Sequence, residues 1–209
     1  MSLRSGWVSG AAQRGLDIVV AVTALILLSW VMVIIALLVR TKLGKPVLFR
    51  QARAGQHGEP FRMVKFRSMT DARDAAGNPL PDADRLTRFG RFLRAASLDE
   101  LPELWNVLRG DMSIVGPRPL LLQYVPRYNE FQRRRLEARP GITGWAQING
   151  RNAISWDERF ALDIWYVDNR SVWLDLKIMF LTVLKVARRD GISAQGEATM
   201  SMFEGESGS

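Results

Sequence analysis

The 209-residue chain contains no cysteine and only one histidine, His57. Without cysteine there is no disulfide, no thiolate metal site and no cysteine nucleophile. A single histidine excludes a zinc site built from several histidines. Acidic residues are also few: 29 lysines and arginines against 21 aspartates and glutamates give a net charge of +8. This excess predicts anionic partners, a class that includes nucleic acids, lipid headgroups and phosphorylated substrates.

A long apolar segment lies near the N-terminus. From Ile18 to Val39 only Thr23 and Ser29 are polar. As a helix this run would be about 33 Å long, against a bilayer hydrocarbon core of about 30 Å. A secretory signal peptide is the alternative, but such peptides have shorter apolar regions that end at a small-residue cleavage site. We therefore predict that residues 1–45 form a membrane-anchoring helix with its flanks.

Residues 46–192 have the pattern of a folded domain. Short apolar stretches at Val47–Gln51 and Phe61–Ser68, joined by a glycine-containing connector, predict a small β-hairpin. The aperiodic segment 70–84 predicts a surface loop. Within it, Asp82-Ala83-Asp84 resembles the DxD metal motif of glycosyltransferases. Because a triplet of this kind arises easily by chance in an aspartate-rich loop, it is weak evidence for a metal site.

Three later segments combine basic and apolar residues at helical spacing. They are residues 85–94, Tyr124–Arg139 and Val172–Arg189. Basic helices with aromatic residues are typical of a membrane interface, and helical core packing explains the same spacing. After Ile192 the residues are mostly small and polar, so we expect 193–209 to be a loosely ordered C-terminal tail.

The densest group of chemically interesting residues lies between Ser97 and Pro119. Ser97 and Glu100 have the spacing of a capping box, but Pro102 favours a helix that begins there and leaves Asp99 and Glu100 in the preceding turn. Either arrangement places two carboxylates near a helix N-terminus. A phosphorylated ligand with a divalent cation suits that environment. Arg118 lies between two prolines that restrict the backbone on both sides, so its guanidinium extends from a stiff turn and could bind a phosphate. The alternative is that this segment is only a rigid surface turn.

These residues match a known family over nearly the whole chain, from Arg14 to Ile192. The sequence resembles the monotopic polyprenyl-phosphate phosphoglycosyl transferases, which are bacterial sugar transferases, in their minimal single-domain form. The resemblance is carried by four motifs in order: RGLD from Arg14, KFRSM from Lys65, SLDELPELWNVLRGDMSIVGPRP from Ser97 and PGITGWAQINGRN from Pro140. It implies an α+β protein with a re-entrant membrane helix, a mainly helical catalytic domain over residues 46–192, a small β-hairpin and interfacial amphipathic helices.

The resemblance also implies a reaction. Such enzymes transfer a phosphosugar from a UDP-sugar to a membrane polyprenyl phosphate, giving a polyprenyl-diphosphate sugar and UMP, in the first membrane step of a bacterial glycoconjugate pathway. They require Mg²⁺, for which Asp99 and Glu100 are the expected ligands. The aspartate that attacks the diphosphate and carries the phosphosugar covalently matches Asp99. Since nucleotide sugars are cytosolic, we expect the domain on the cytoplasmic face of the inner membrane.

Elementary chemistry agrees with this assignment. A carboxylate with an ordinary pKa of about 3.9 is ionised at neutral pH and needs no separate base, and aspartyl phosphates are an established covalent intermediate. The other requirement of catalysis is that the negative charge on the transferred phosphoryl group be neutralised by Mg²⁺, lysine and arginine. Lys65, Arg94 and Arg118 are the candidate phosphate-binding residues, and Arg151 is a weaker candidate for the nucleotide. A one-step displacement, with Asp99 only holding Mg²⁺, is the mechanistic alternative.

One departure from the family pattern concerns the membrane helix. Family members break this helix at a Ser-Pro pair, whereas this chain has Ser29-Trp30, and only proline removes a helix hydrogen bond. The sequence therefore leaves both a re-entrant and a spanning helix open. Two rival functions, a membrane-tethered nucleic-acid-binding protein and a non-catalytic adaptor, fit the charge but do not require four ordered transferase motifs. The sugar, acceptor length, pathway and oligomeric state are not encoded in any motif.

Overall fold

The computed structural model describes residues 3–150, 154–188, 202, 203 and 205. The helices are α1 (Leu3–Lys42), α2 (Asp82–Arg85), α3 (Arg88–Ala95), α4 (Glu103–Arg109), α5 (Glu130–Arg133), α6 (Trp145–Asn149), α7 (Trp156–Asn169) and α8 (Val172–Arg188). The strands are β1 (Leu48–Ala54), β2 (Pro60–Phe66), β3 (Ser113–Val115) and β4 (Gly141–Thr143). Short 3₁₀ turns lie at Gln56–Gly58, Leu98–Glu100, Leu122–Arg127 and Arg134–Glu137. The predicted α+β class and the hairpin are confirmed.

Helix α1 is a single apolar helix of 40 residues. Among the described residues its Gly10–Lys42 stretch is the one helix long and apolar enough to cross a membrane. Ser29 donates to the carbonyl of Ile26 at 2.9 Å, and helical structure continues through Trp30. Without proline, no backbone hydrogen bond has to be given up at this point.

Two stretches of α1 pack against the same domain. In the middle of the helix, Ala21 is buried in a core with residues of α4, β3, α7 and α8, and Leu25 packs against that core. Towards its C-terminus, Val31, Ile35 and Val39 contribute to a second core with Phe66 of β2 and Leu93 of α3. The other face of α1 exposes large apolar side chains, including Val19, Ile26, Leu27, Trp30, Val33 and Leu37.

The β1–β2 hairpin is antiparallel, with Phe49 opposite Lys65, Gln51 opposite Met63 and Arg53 opposite Phe61. Directly opposed residues share one face of a sheet. This hairpin is tied to α4 by the side chain of Asn106, which accepts from the amide of Val64 at 3.1 Å and donates to the carbonyl of Arg62 at 2.8 Å. The two hydrogen bonds hold β2 beside the turn that carries Asp99.

Strands β3 and β4 pair in parallel and position the Pro117-Arg118-Pro119 turn. The Gly116 amide donates to Thr143 at 2.9 Å, and the Gly141 amide donates to Pro117 at 3.0 Å. A Cβ at Gly116 would lie 2.2 Å from the Arg139 carbonyl oxygen. Only glycine permits this approach, which fixes the backbone immediately before Arg118.

The amphipathic segments fold differently from their sequence pattern in two of three cases. Residues 85–94 are divided between α2 and α3, and Tyr124–Arg139 consists of short turns around α5. Only Val172–Arg188 forms the single long helix that its spacing predicts. In the C-terminal tail, Phe203 is buried against aromatic rings that include Tyr124, Tyr128, Trp156 and Phe160. Phe203 is thus packed rather than loosely ordered, and most of the predicted tail, residues 193–209, lies outside the described residues.

Candidate active site

The turn before α4 presents the Asp99-Glu100 pair. Ser97 adopts a left-handed conformation with φ of 54° and caps nothing with its side chain, so the capping box does not form. Residues Leu98–Glu100 make one 3₁₀ turn, and α4 begins at Glu103, immediately after Pro102. The alternative expectation, a helix that begins near Pro102 with both carboxylates in the preceding turn, is confirmed.

Asp99 is the carboxylate of the pair that the cations leave without a hydrogen bond. Its side chain is largely buried, and within the described part of the chain it accepts no hydrogen bond. Burial, and then the negative charge of Glu100, raise the pKa of Asp99 above its usual value, while Lys65, Arg118 and Arg94 act in the opposite direction. A poorly solvated carboxylate surrounded by cations is suited to attack a phosphorus atom.

Glu100 binds two of the predicted phosphate-binding residues, Lys65 and Arg118. Its Oε1 accepts from Lys65 Nζ at 2.8 Å and from Arg118 Nη2 at 2.6 Å. Burial by itself would raise the pKa of Glu100, but these two cations outweigh it and hold the pKa well below its usual range. Glu100 is therefore ionised and aligns Lys65 and Arg118 beside Asp99.

The other two predicted phosphate-binding residues are Arg94 and Arg151. Arg94 lies near the Asp99-Glu100 pair, and Arg151 is outside the described residues. Arg94 Nε donates to Ser68 Oγ at 3.0 Å, and its charge acts on Asp99. The structure thus brings together Lys65, Asp99, Glu100 and Arg118, with Arg94 alongside. Asp82, from the DxD triplet, instead lies 3.6 Å from Arg85 in an exposed helix.

Sequence reasoning missed two charged residues at this site, Glu103 and Arg53. Glu103 Oε1 lies 2.9 Å from Lys65 Nζ, and burial raises the pKa of Glu103 to about 7. Its position three residues after Glu100 was a usable signal, because that spacing places both on one side of a helical turn. Arg53 shares a hairpin face with Met63 and Lys65, a relation that depends on strand register.

A buried ion pair supports the Arg118 turn from behind. Arg135 and Asp163 have side chains only 2% exposed, and Arg135 Nη2 lies 2.8 Å from Asp163 Oδ2. The same Nη2 donates to the backbone carbonyl of Arg118 at 2.7 Å. The spacing of Tyr124–Arg139 predicts a basic helix that faces the membrane or packs on the core. Within this segment, Arg135 is buried in the domain, where it pairs with Asp163 and donates to the carbonyl of Arg118.

The residues fit Mg²⁺ in the manner usual for phosphoryl-transfer sites. No group of three or more histidine, aspartate or glutamate side chains in the described ranges is arranged to hold a metal. Mg²⁺, however, commonly binds one or two carboxylates and takes its remaining ligands from phosphates and water. Asp99 has a carboxylate free of hydrogen bonds for this purpose, whereas Glu100 could contribute only Oε2, because Oε1 is already shared by two cations.

The profile of the bacterial sugar transferases matches residues 8–189, which include every part of this site. The chain belongs to the bacterial sugar transferase family. A relative from Bacillus subtilis, described as an uncharacterised sugar transferase, is 55% identical to this transferase over 92% of the chain and 96% of its own length.

Two relatives have more informative descriptions. The undecaprenyl-phosphate galactose phosphotransferase of Salmonella typhimurium is 40% identical over 86% of this sugar transferase. The UDP-glucose:undecaprenyl-phosphate glucose-1-phosphate transferase of Escherichia coli is 43% identical over 83%. The matched regions make up 41% and 39% of those longer proteins. This transferase thus corresponds to about two fifths of each.

Proposed function

We propose that this sugar transferase moves a sugar phosphate from a UDP-sugar to a membrane polyprenyl phosphate. The observation that carries the proposal is the Asp99 carboxylate, which accepts no hydrogen bond from the described residues but lies among the charges of Lys65, Arg94 and Arg118. The two relatives named for undecaprenyl-phosphate sugar transfer support the substrate classes. Nucleic acid is not a substrate in this proposal, since the cations at the site surround a reactive carboxylate.

The proposed chemistry has two displacement steps. In the first, an Asp99 carboxylate oxygen attacks the sugar-bearing phosphorus of the UDP-sugar, and the bond from that phosphorus to the bridging oxygen breaks. The electron pair leaves with UMP, and Asp99 holds the sugar phosphate as an acyl phosphate. In the second, a phosphate oxygen of the polyprenyl phosphate attacks the same phosphorus, the acyl-phosphate bond breaks, and the Asp99 carboxylate is regenerated.

The protein contributes charge and position to both steps. Lys65 and Arg118, aligned by Glu100, face the negative charge that accumulates on the phosphoryl oxygens. Arg94 adds a third cation beside Asp99. No proton has to be removed, because the carboxylate and the acceptor phosphate are both anionic nucleophiles. Asp99 and Glu100 Oε2 are the protein oxygens that would hold Mg²⁺, and the ion would supply further charge neutralisation at the phosphates.

The same proposal places α1 in the bilayer without crossing it. Leu25 packs on one core of the catalytic domain and Val31 on the other, and these residues are about 9 Å apart along a helix axis. That distance is far less than the ~30 Å hydrocarbon core. The exposed apolar face of α1, with Ile26, Trp30 and Val33, would contact lipid on the cytoplasmic side of the inner membrane.

A cysteine-labelling experiment tests this topology. The chain has no native cysteine, so Ala12→Cys at the start of α1 and Asn78→Cys in the catalytic-domain loop each provide one site. Both positions are exposed. A membrane-impermeant maleimide is expected to label both variants only after the inner membrane is permeabilised. Labelling of Ala12→Cys, but not Asn78→Cys, in cells whose inner membrane is intact would show that α1 spans the membrane.

The overall reaction is tested with purified protein in detergent or lipid discs. With a polyprenyl phosphate and a panel that begins with UDP-galactose and UDP-glucose, one donor is expected to yield UMP and a polyprenyl-diphosphate sugar in equal amounts. Chromatography of the nucleotide and the lipid product provides the measurement. Absence of a lipid-linked sugar across the panel, in protein that remains folded, would contradict the proposed acceptor.

A further inference from the structure

A small, partly enclosed recess lies beside the Asp99-Glu100 turn. It is lined by Arg53, Met63, Lys65, Glu103, Arg118 and Pro119. The hairpin, α4 and the Arg118 turn therefore each contribute to its wall. Lys65 and Arg118 belong to the predicted site, whereas Arg53 lies outside the four motifs and Glu103, although it lies within the Ser97–Pro119 motif, was not predicted as a site residue.

Cations outnumber carboxylates in the lining of the recess, and two of these cations, Lys65 and Arg118, also bind Glu100 outside the lining. Three of its six lining side chains are cationic, and Glu103 is the one carboxylate. Burial raises the pKa of Glu103 to about 7, so near neutral pH this carboxyl is partly protonated and able to donate a hydrogen bond. A small space with excess positive charge and a carboxyl donor is complementary to a phosphate group.

Arg53 is held at this recess by two hydrogen bonds. Its Nη2 donates to Gln51 Oε1 at 2.7 Å and its Nη1 to the Pro119 carbonyl at 3.4 Å. Its Nε is buried and has no hydrogen-bond partner among the described residues. The guanidinium therefore lines the recess with its donors only partly satisfied, and a bound anion would have to draw the side chain toward itself to use Nε.

The charges divide the site into two sides. On one side, Asp99 interacts with Lys65, Arg118 and Arg94. On the other, Arg53 interacts with Arg118 and Glu103 and has no resolved interaction with Asp99. Lys65 and Arg118 serve both sides, since they contact Glu100 and also line the recess.

We propose that this recess binds a terminal phosphate monoester, with Arg53 as a further phosphate-binding residue, while Asp99 carries the sugar phosphate. The inference rests on the proposed two-step function, in which two species have such a group: the polyprenyl phosphate before the second step and UMP after the first. Their shared phosphate monoester accounts for the recess, and their different organic portions allow an experiment to distinguish them.

The test is equilibrium binding by isothermal titration calorimetry to the full-length protein in detergent. The two probes are UMP and a short-chain, water-soluble prenyl phosphate. Arg53→Met is expected to raise the Kd of one or both probes at least about tenfold, and the probe affected identifies the occupant. The matched control is Arg62→Met, which removes the same charge from an exposed position on the same hairpin and is expected to leave both Kd values within about twofold.

Equal Kd values for Arg53→Met and Arg62→Met, or no binding of either probe to the unmodified protein, would overturn the proposal. Arg53→Lys is the second variant in case Arg53→Met does not fold, which circular dichroism would reveal. It keeps the charge but loses the Nε donor, so an intermediate Kd is expected. Failure of the two-step function is detected separately, as the absence of a sugar-phosphate adduct on Asp99 of the unmodified protein after incubation with UDP-sugar.

Discussion

Replacement of Asp99 by asparagine is expected to lower turnover by about a thousandfold or more and to abolish the release of UMP from UDP-sugar alone. Asparagine has nearly the same shape but is a far weaker nucleophile, so the acyl phosphate cannot form. Because no described residue hydrogen-bonds the Asp99 side chain, the substitution breaks no hydrogen bond within the described domain. The expected loss is therefore chemical, with little change in the free energy of unfolding.

Intact-protein mass spectrometry measures this directly. With UDP-sugar and no acceptor, the unmodified protein should gain the mass of one sugar phosphate and release one equivalent of UMP, whereas Asp99→Asn should do neither. Asp84→Asn is the matched control, because Asp84 is exposed in the DxD triplet and should retain full activity. If the unmodified protein is active with acceptor but shows neither adduct nor early UMP, the one-step displacement is correct.

Much of this site is readable from the sequence because it lies in one continuous segment. Asp99, Glu100 and Arg118 all fall between Ser97 and Pro119, where turn-forming residues and the family motif coincide. Lys65 belongs to a second motif, and it lies on the β1–β2 hairpin that the strand pattern predicts. Local reasoning failed at Ser97, where the favourable spacing to Glu100 predicted a capping box and the observed φ of 54° prevents one.

The residues that sequence reasoning missed depend on contacts distant in the chain. Arg53 approaches Lys65 only through strand register. Arg135 lies among consecutive arginines that favour an exposed basic surface, but it pairs with Asp163, 28 positions further along. Helical periodicity describes one segment at a time and does not indicate which distant carboxylate will neutralise a buried cation. The same reason explains Phe203, whose aromatic partners belong to other elements.

Substitution of Asp163 by asparagine is expected to lower the free energy of unfolding by about 3–5 kcal/mol. The change leaves Arg135 as a buried cation without its counter-ion, in a region where Arg159 adds a second positive charge close to Asp163. Urea unfolding, monitored by circular dichroism, gives the measurement. Asp168→Asn is the matched control on the same helix, because its pair with Arg134 is exposed and should contribute at most about 1 kcal/mol.

The paired substitution Arg135→Met with Asp163→Leu separates stability from positioning. Replacing both charges with apolar side chains removes the cation that Asp163→Asn leaves unpaired, while Arg159 still loses the charge of Asp163, so stability is expected to recover part of the loss seen in Asp163→Asn. Activity is not expected to recover, because the hydrogen bond from Arg135 Nη2 to the Arg118 carbonyl is also lost and Arg118 is then less firmly held against Glu100. UMP release by the stable double variant measures this. Full activity in that variant would show that Arg135 supports the fold alone, with no part in positioning Arg118.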